Sequence, residues 1–236
     1  MRRLAILGFH RIGKPPRDWD SWFYVPEPAF VGYLTSLKDD GWCVIDLATL
    51  LRGLETSRTL PERAALLTFD DGYRSILEIA LPWLARFGYP AVMFVPTDFV
   101  GGSSSFDAGD EPEEPMCDWA ELRELQRWGV SIQSHAASHR PFSKLDPAEQ
   151  EREIVQSKAV LEAQLGAAVE VLAYPYGDPG ADPGRLQLAL KHAGYRAAFL
   201  YGGGLARLPA EDPYVLPRVA MGPDTDLKAE LRGDCH

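Results

Sequence analysis

Two histidines four residues apart, in His135-Ala-Ala-Ser-His139, and two adjacent carboxylates, in Thr68-Phe69-Asp70-Asp71-Gly72-Tyr73, are the residues of this chain whose types and spacing suit catalysis. Imidazoles spaced this way on a helical turn project from one face and can share an ion. Random placement of 5 histidines in 236 residues would give about 0.1 such pairs, so the spacing needs a second element beside it. The carboxylates supply one. They close an apolar run, where burying two unpaired charges is costly. A strand-to-helix turn with one Asp as cap and Gly72 at an unusual backbone angle accounts for one carboxylate only. One carboxylate with two imidazoles makes a three-ligand site with an open fourth position, the arrangement that activates water on zinc. The second carboxylate can then take the proton.

The elements that must position these groups can be read from the apolar pattern. Leu4–Phe9, Cys43–Ile45, Ala64–Phe69, Ala91–Val95, Val130–Gln133, Val169–Ala173 and Ala197–Leu200 read as short buried strands, several bounded by Gly, Pro or charge. Helices are expected at Phe30–Leu37, Arg74–Phe87, Asp118–Arg127 with Asp118 and Glu121 as a capping box, Pro147–Leu165 and Arg185–His192. Repeated strand-helix units imply a parallel α/β sheet or barrel, with functional groups on the loops after the strands' carboxyl ends. Both motifs fall on such loops. Phe106–Pro115 is acidic and proline-containing, and reads as a mobile, solvated insertion, with a flap over a cleft as the alternative.

Totals narrow the function classes. The length suits one domain over residues 1–236, and 46% hydrophobic content is enough for a core without staples. A net charge of -10 with no basic run argues against a nucleic-acid partner. Cys43, Cys117 and Cys235 are odd in number and widely spaced, which suggests neither a disulfide framework nor a CxxC site and suits a reducing compartment. The start is too briefly apolar for a signal peptide, and no apolar run approaches the roughly 18 residues of a membrane span. A soluble, cytoplasmic protein is expected from the chain as it stands, or a secreted or cell-envelope protein if an export signal has been removed. The oligomeric state is not readable.

Three segments, TFDDGY, HAASH and Ala173-Tyr174-Pro175-Tyr176-Gly177, resemble in order the first three motifs of the polysaccharide deacetylases, carbohydrate esterase family four, also called the nodulation-deacetylase homology domain. The resemblance spans about Leu4 to Val219. It implies a distorted (β/α)7-type barrel with parallel central strands, and a metal-dependent hydrolase that removes N-acetyl groups from an acetylated aminosugar or polysaccharide. It makes Asp70 the catalytic base and assigns Asp71, His135 and His139 to a divalent metal, zinc by default, with cobalt or nickel as alternatives. It also implies that the Tyr176 backbone N–H stabilises the oxyanion, and that Tyr73, Pro175 and Tyr176 line the substrate groove.

The chain departs from the family pattern in three places. Ala136 stands where Ser or Thr usually follows the first His, and Ser138 is the candidate to compensate. Ala173 stands where an Arg often pairs with the catalytic Asp, and Arg218, in Leu216-Pro217-Arg218-Val219, is the candidate replacement, though a lone Arg reads equally as a surface ion pair. The C-terminal Leu-x-x-His motif is missing, with only Cys235-His236 at the end. Gly8-Phe9-His10-Arg11-Ile12 resembles the N-terminal motif of the circularly permuted poly-N-acetylglucosamine deacetylases, which makes His10 the acid that protonates the leaving amine. The same segment nearly matches a phosphate-binding GxxxxGK[ST] loop, but Pro15 and Pro16 remove the hydroxyl and the helix start. Two alternatives stay open: an amidohydrolase of this fold acting on a cyclic imide or ureide, and a sugar-binding remnant without turnover.

Overall fold

A computed structural model describes residues 3–232; Cys235 and His236 lie outside them. The strands are β1 (Arg3–Phe9), β2 (Arg11–Ile12), β3 (Tyr24–Val25), β4 (Cys43–Val44), β5 (Arg63–Phe69), β6 (Ala91–Val95), β7 (Val130–Ser134), β8 (Val171–Ala173), β9 (Ala197–Gly203) and β10 (Leu216–Ala220). Helices α1 (Glu27–Asp39), α2 (Leu47–Glu55), α3 (Leu81–Phe87), α4 (Trp119–Arg127), α5 (Pro147–Leu165), α6 (Pro183–His192) and α7 (Leu227–Arg232) alternate with them. β1 and β5 through β10 close into a parallel barrel of seven strands, sealed by the β1–β5 and β1–β10 pairings, while β4 adds to the start of β5. This is the (β/α)7-type architecture that the resemblance implies.

Strand alternation explains both the core and the site. On β1, Ala5, Leu7 and Phe9 pack outward against the helices, and on β5 so do Ala65, Leu67 and Phe69. Leu4 and Ile6 on β1, Ala64 and Leu66 on β5, and Val92, Phe94, Phe199 and Leu216 fill the barrel interior. The pairing of β1 with β5 runs without slip from Arg3↔Arg63 to Phe9↔Phe69. Two-residue periodicity therefore carries the inward series Leu4, Ile6, Gly8 on to His10, and Ala64, Leu66, Thr68 on to Asp70. The register brings these two functional side chains to the same end of the barrel, where the Asp70 N–H donates to Phe9 O at 2.8 Å.

Sequence reading located most elements and missed several. α2, α7 and the short β2–β3 pair were not anticipated, and β10 was recognised only as a motif around Arg218. The helix expected over Arg74–Phe87 is a wide π-helical turn, Ile76–Ala80, that tightens into α3. The chain after Gly8-Phe9-His10 enters β2 and not a helix, so the GxxxxGK-like stretch offers no phosphate cradle.

Candidate active site

The turn after β5 carries Asp70 and Asp71. Asp71 has φ 70° and Gly72 has φ 85°, so the chain reverses sharply and presents both carboxylates inside the barrel mouth. Among the described residues the non-glycine residues with positive φ are Asp71, Ala136, His139 and Tyr176, one or two from each of the three motif loops. Each such conformation costs of order 1–3 kcal/mol, and their concentration here is the pattern expected where packing forces functional groups into place. It also corrects one expectation. His135 and His139 converge on an irregular loop with left-handed residues at 136 and 139, not on a helical turn.

Asp71 Oδ1 lies 3.0 Å from His139 Nε2 and 3.3 Å from His135 Nε2, with all three residues buried. His135 Nδ1 lies 2.8 Å from the Ala173 carbonyl, which can only accept, so Nδ1 carries the proton and Nε2 is left to bind. Asp71 Oδ1 is buried without a well-aligned hydrogen-bond donor. Acceptors facing one another at this distance require a proton or a cation between them. Burial pushes the Asp71 carboxyl up, but the imidazoles outweigh it and hold it well below the usual carboxylate range; burial lowers His135, and the Asp71 contact and the two aspartate charges outweigh that and raise it. These are the only residues among those described that cluster as a possible metal site, and the set suits a divalent cation.

Asp70 faces a different partner. Arg218, fully buried, donates from both terminal nitrogens to both Asp70 oxygens at 2.6 Å each, and also to Thr68 Oγ1 and the Leu200 carbonyl. Burial pushes the Asp70 carboxyl up, and Arg218's charge and hydrogen bonds outweigh it, leaving it below its ordinary value. Ala173 points inward on β8 as part of the interior core, and the cation comes instead from β10. β9 helps by bulging: Leu216 pairs with Phe199, yet Arg218 pairs with Gly203, which turns the Leu200 carbonyl onto the guanidinium.

His10 Nε2 sits 4.0 Å from an oxygen of each aspartate, and its ring is held edge-on by Phe23 and Tyr201. Burial lowers its pKa more than the aspartates raise it. Tyr176 stands at the rim, 55% exposed, its ring 4.7 Å from that of His139 and its hydroxyl donating to Asp107 Oδ1 at 2.7 Å. A cleft of about 410 Å³ opens over these groups.

Two residues expected in the substrate groove are elsewhere. Tyr73 is 1% exposed and accepts a 2.5 Å hydrogen bond from Arg11, and Pro175 is buried beneath its turn; neither lines the cleft. The acidic stretch is not a solvated insertion. Phe106 packs on the His139 ring at 4.0 Å, Asp107 binds Tyr176, and Glu111 pairs with the buried Arg11 and accepts from Ser21. The stretch walls the cleft, as in the flap alternative. Its carboxylates were the signal, but their partners Arg11, Ser21 and Tyr24 lie some 90 residues away in the chain and were invisible. Tyr201 and Glu153 were also missed. Glu153, from α5, accepts from the Ala137 and Ser138 amides and the Ser138 hydroxyl at 2.5–2.8 Å, while Ser134 Oγ accepts from Ala136 N–H. The hydroxyl absent at position 136 is thus replaced on both sides, with Ser138 taking part as expected.

The polysaccharide deacetylase family profile matches residues 57–198, more than half of the chain. The chain belongs to that family. The match covers both aspartates, His135, His139 and Tyr176; His10 and Arg218 fall outside it. YxkH of Bacillus subtilis is 25% identical over 221 residues, 94% of this chain and 72% of that protein. The poly-beta-1,6-N-acetyl-D-glucosamine N-deacetylase of Escherichia coli K12 is 27% identical over 224 residues, 81% of this chain but 33% of the relative, so the chain spans about a third of that protein's length. The deacetylase PplD of Streptococcus pyogenes shares the fold with a TM-score of 0.84 at 21% identity, across 98% of this chain and 97% of that one.

Proposed function

We propose that this protein hydrolyses N-acetyl groups on an acetylated aminosugar polymer, with a β-1,6-linked N-acetylglucosamine chain, the substrate named for the Escherichia coli relative, as the first candidate. The observation that carries this reading is the convergence of Asp71 Oδ1, His135 Nε2 and His139 Nε2 beside an Asp70 held ionised by Arg218. A divalent ion there, zinc by preference and cobalt or nickel as alternatives, would acidify a water and polarise the acetamide carbonyl.

The chain's own groups do the rest. Asp70, fixed by two hydrogen bonds and kept anionic, accepts the proton of the attacking water. The left-handed conformation of Tyr176 sets its backbone beside the cleft, where the N–H stabilises the oxyanion. His10, within 4.0 Å of both carboxylates, protonates the departing amine, and the proton that Asp70 took from water replaces the one His10 gives up, so both groups return to their starting forms. The products are acetate and a free amino sugar.

The test is an acetate-release assay over N-acetylated oligosaccharides, run with metal analysis of the same preparation. Release that disappears on chelation and returns with added zinc, cobalt or nickel supports the reading; no release from any glycan overturns it. A sugar-binding remnant would be the reading if Ala136 and Ala173 left the site incomplete. Ser134, Glu153 and Arg218 supply what those positions lack, so they do not.

A further inference from the structure

We infer that Trp22, together with the Gly202–Gly204 ribbon, forms a second sugar subsite adjoining the cleft, holding the next unit of the chain whose acetylated unit lies at the catalytic groups. The inference rests on the glycan reading above and adds where the polymer runs.

A second cavity of about 410 Å³ lies beside the first, lined by Trp22, Gly202–Gly204 and Asp224 among others. Continuity of the backbone joins the two. Phe23 lines the cleft and Trp22 the second cavity; Tyr201 lines the cleft and Gly202 the second cavity. The two cavities therefore adjoin at these residue pairs, close enough for neighbouring units of one chain.

Trp22 is 39% exposed and lines the second cavity, so part of its indole is open to a ligand there. It is also fixed. Its indole N–H donates to Asp224 Oδ1 at 2.7 Å, and one ring face lies so close to Gly222 that a Cβ there would come within 2.0 Å of it. An aromatic platform whose rotamer is already set loses little entropy when a ligand stacks on it. Sugar rings present apolar C–H faces to such a platform and hydroxyls to its polar rim.

The glycine ribbon opens the space. Gly202, Gly203 and Gly204 have φ of 90°, 95° and 78°, and a Cβ at Gly203 would come within 2.9 Å of Pro217. A Cβ on Gly202 or Gly204 would meet nothing within 4 Å, so this stretch borders open volume. Of the charged residues lining it, Arg218 is already neutralised by Asp70, so Asp224, Asp226 and Glu230 make the subsite unfavourable for an acidic sugar and tolerant of a neutral or amino sugar.

The experiment is steady-state kinetics of the full chain on the N-acetylglucosamine monomer, too short to reach the subsite, and on the β-1,6-linked tetramer, which spans it. The wild type is expected to show a lower KM for the tetramer. Trp22→Ala should raise the tetramer KM by about tenfold and flatten the length dependence, with recovery in Trp22→Phe, since tenfold corresponds to about 1.4 kcal/mol, the scale of one aromatic contact. Asp224→Ala, which unties the indole, should move the same way by less. A KM ratio unchanged in Trp22→Ala, or a kcat loss equal on both substrates, overturns the subsite while leaving the deacetylase reading intact. If the wild type releases no acetate from either substrate, calorimetric titration with the tetramer decides: binding weakened by Trp22→Ala upholds the subsite, and no binding overturns it.

Discussion

Arg218 grips both carboxylate oxygens of Asp70 at 2.6 Å inside the top layer of the barrel, from a strand 148 residues further along the chain. Both are buried, with Asp70 showing only its edge to the cleft, so each is the other's neutralising partner. Removing one leaves a buried charge without compensation.

Arg218→Met is therefore expected to lower stability by about 3–5 kcal/mol, measured by denaturant unfolding. It should also shift the acidic limb of the pH–activity profile upward. In the wild type the Asp70 pKa is depressed, so its contribution to stability is present above the unfolded carboxyl pKa and fades as pH falls through the folded value. Without Arg218 burial is opposed only by the smaller effects of His135 and His10, and the base protonates at higher pH. An unshifted limb in a folded variant would count against the pairing as the source of Asp70's ionisation.

Removing the base without removing the ion separates two roles. Asp70→Asn should retain metal by elemental analysis and lose at least about 100-fold in turnover, the usual scale for a general base. Asp71→Ala should lose both. Retained metal in Asp71→Ala would show that the acidic ligand lies elsewhere.

Metal uptake is expected to release protons. Burial lowers His135, but its Asp71 contact and the aspartate charges outweigh that and raise it, so the ion-free protein keeps a second imidazole proton to higher pH than a free histidine would, and the ion must displace it. Apparent zinc affinity should fall as the pH drops, and calorimetry in buffers of different ionisation enthalpy should give different apparent heats. Equal heats in every buffer would mean that no proton moves.

Glu153 touches no ligand atom, yet it holds the loop between the two histidines through three hydrogen bonds. Glu153→Ala should weaken metal affinity by about tenfold and cost about 1–3 kcal/mol of stability, because two amides are left without an acceptor. Thermal shift with and without zinc reads both effects. Glu153→Gln should recover part of each.

His10→Ala is expected to slow amide substrates more than esters with good leaving groups, since only the amine must be protonated to depart. Equal losses on both would assign His10 to ground-state binding.

The sequence alone determined the class of fold and the four central residues, because both depend on local pattern. Apolar runs with turn signals mark parallel strands, and a carboxylate pair or a spaced histidine pair is legible within six residues. What it misjudged was geometry: the histidine turn is not helical, and Tyr73 and Pro175 face away from the cleft. Only the closed barrel decided the rest. It set His10 opposite Asp70 through the β1–β5 register, reached Asp70 with an arginine from β10, and turned the acidic stretch into a wall by pairing it with Arg11 and Tyr176. Such contacts join residues dozens to nearly 150 positions apart, and ring closure, which no local segment encodes, is what makes them neighbours.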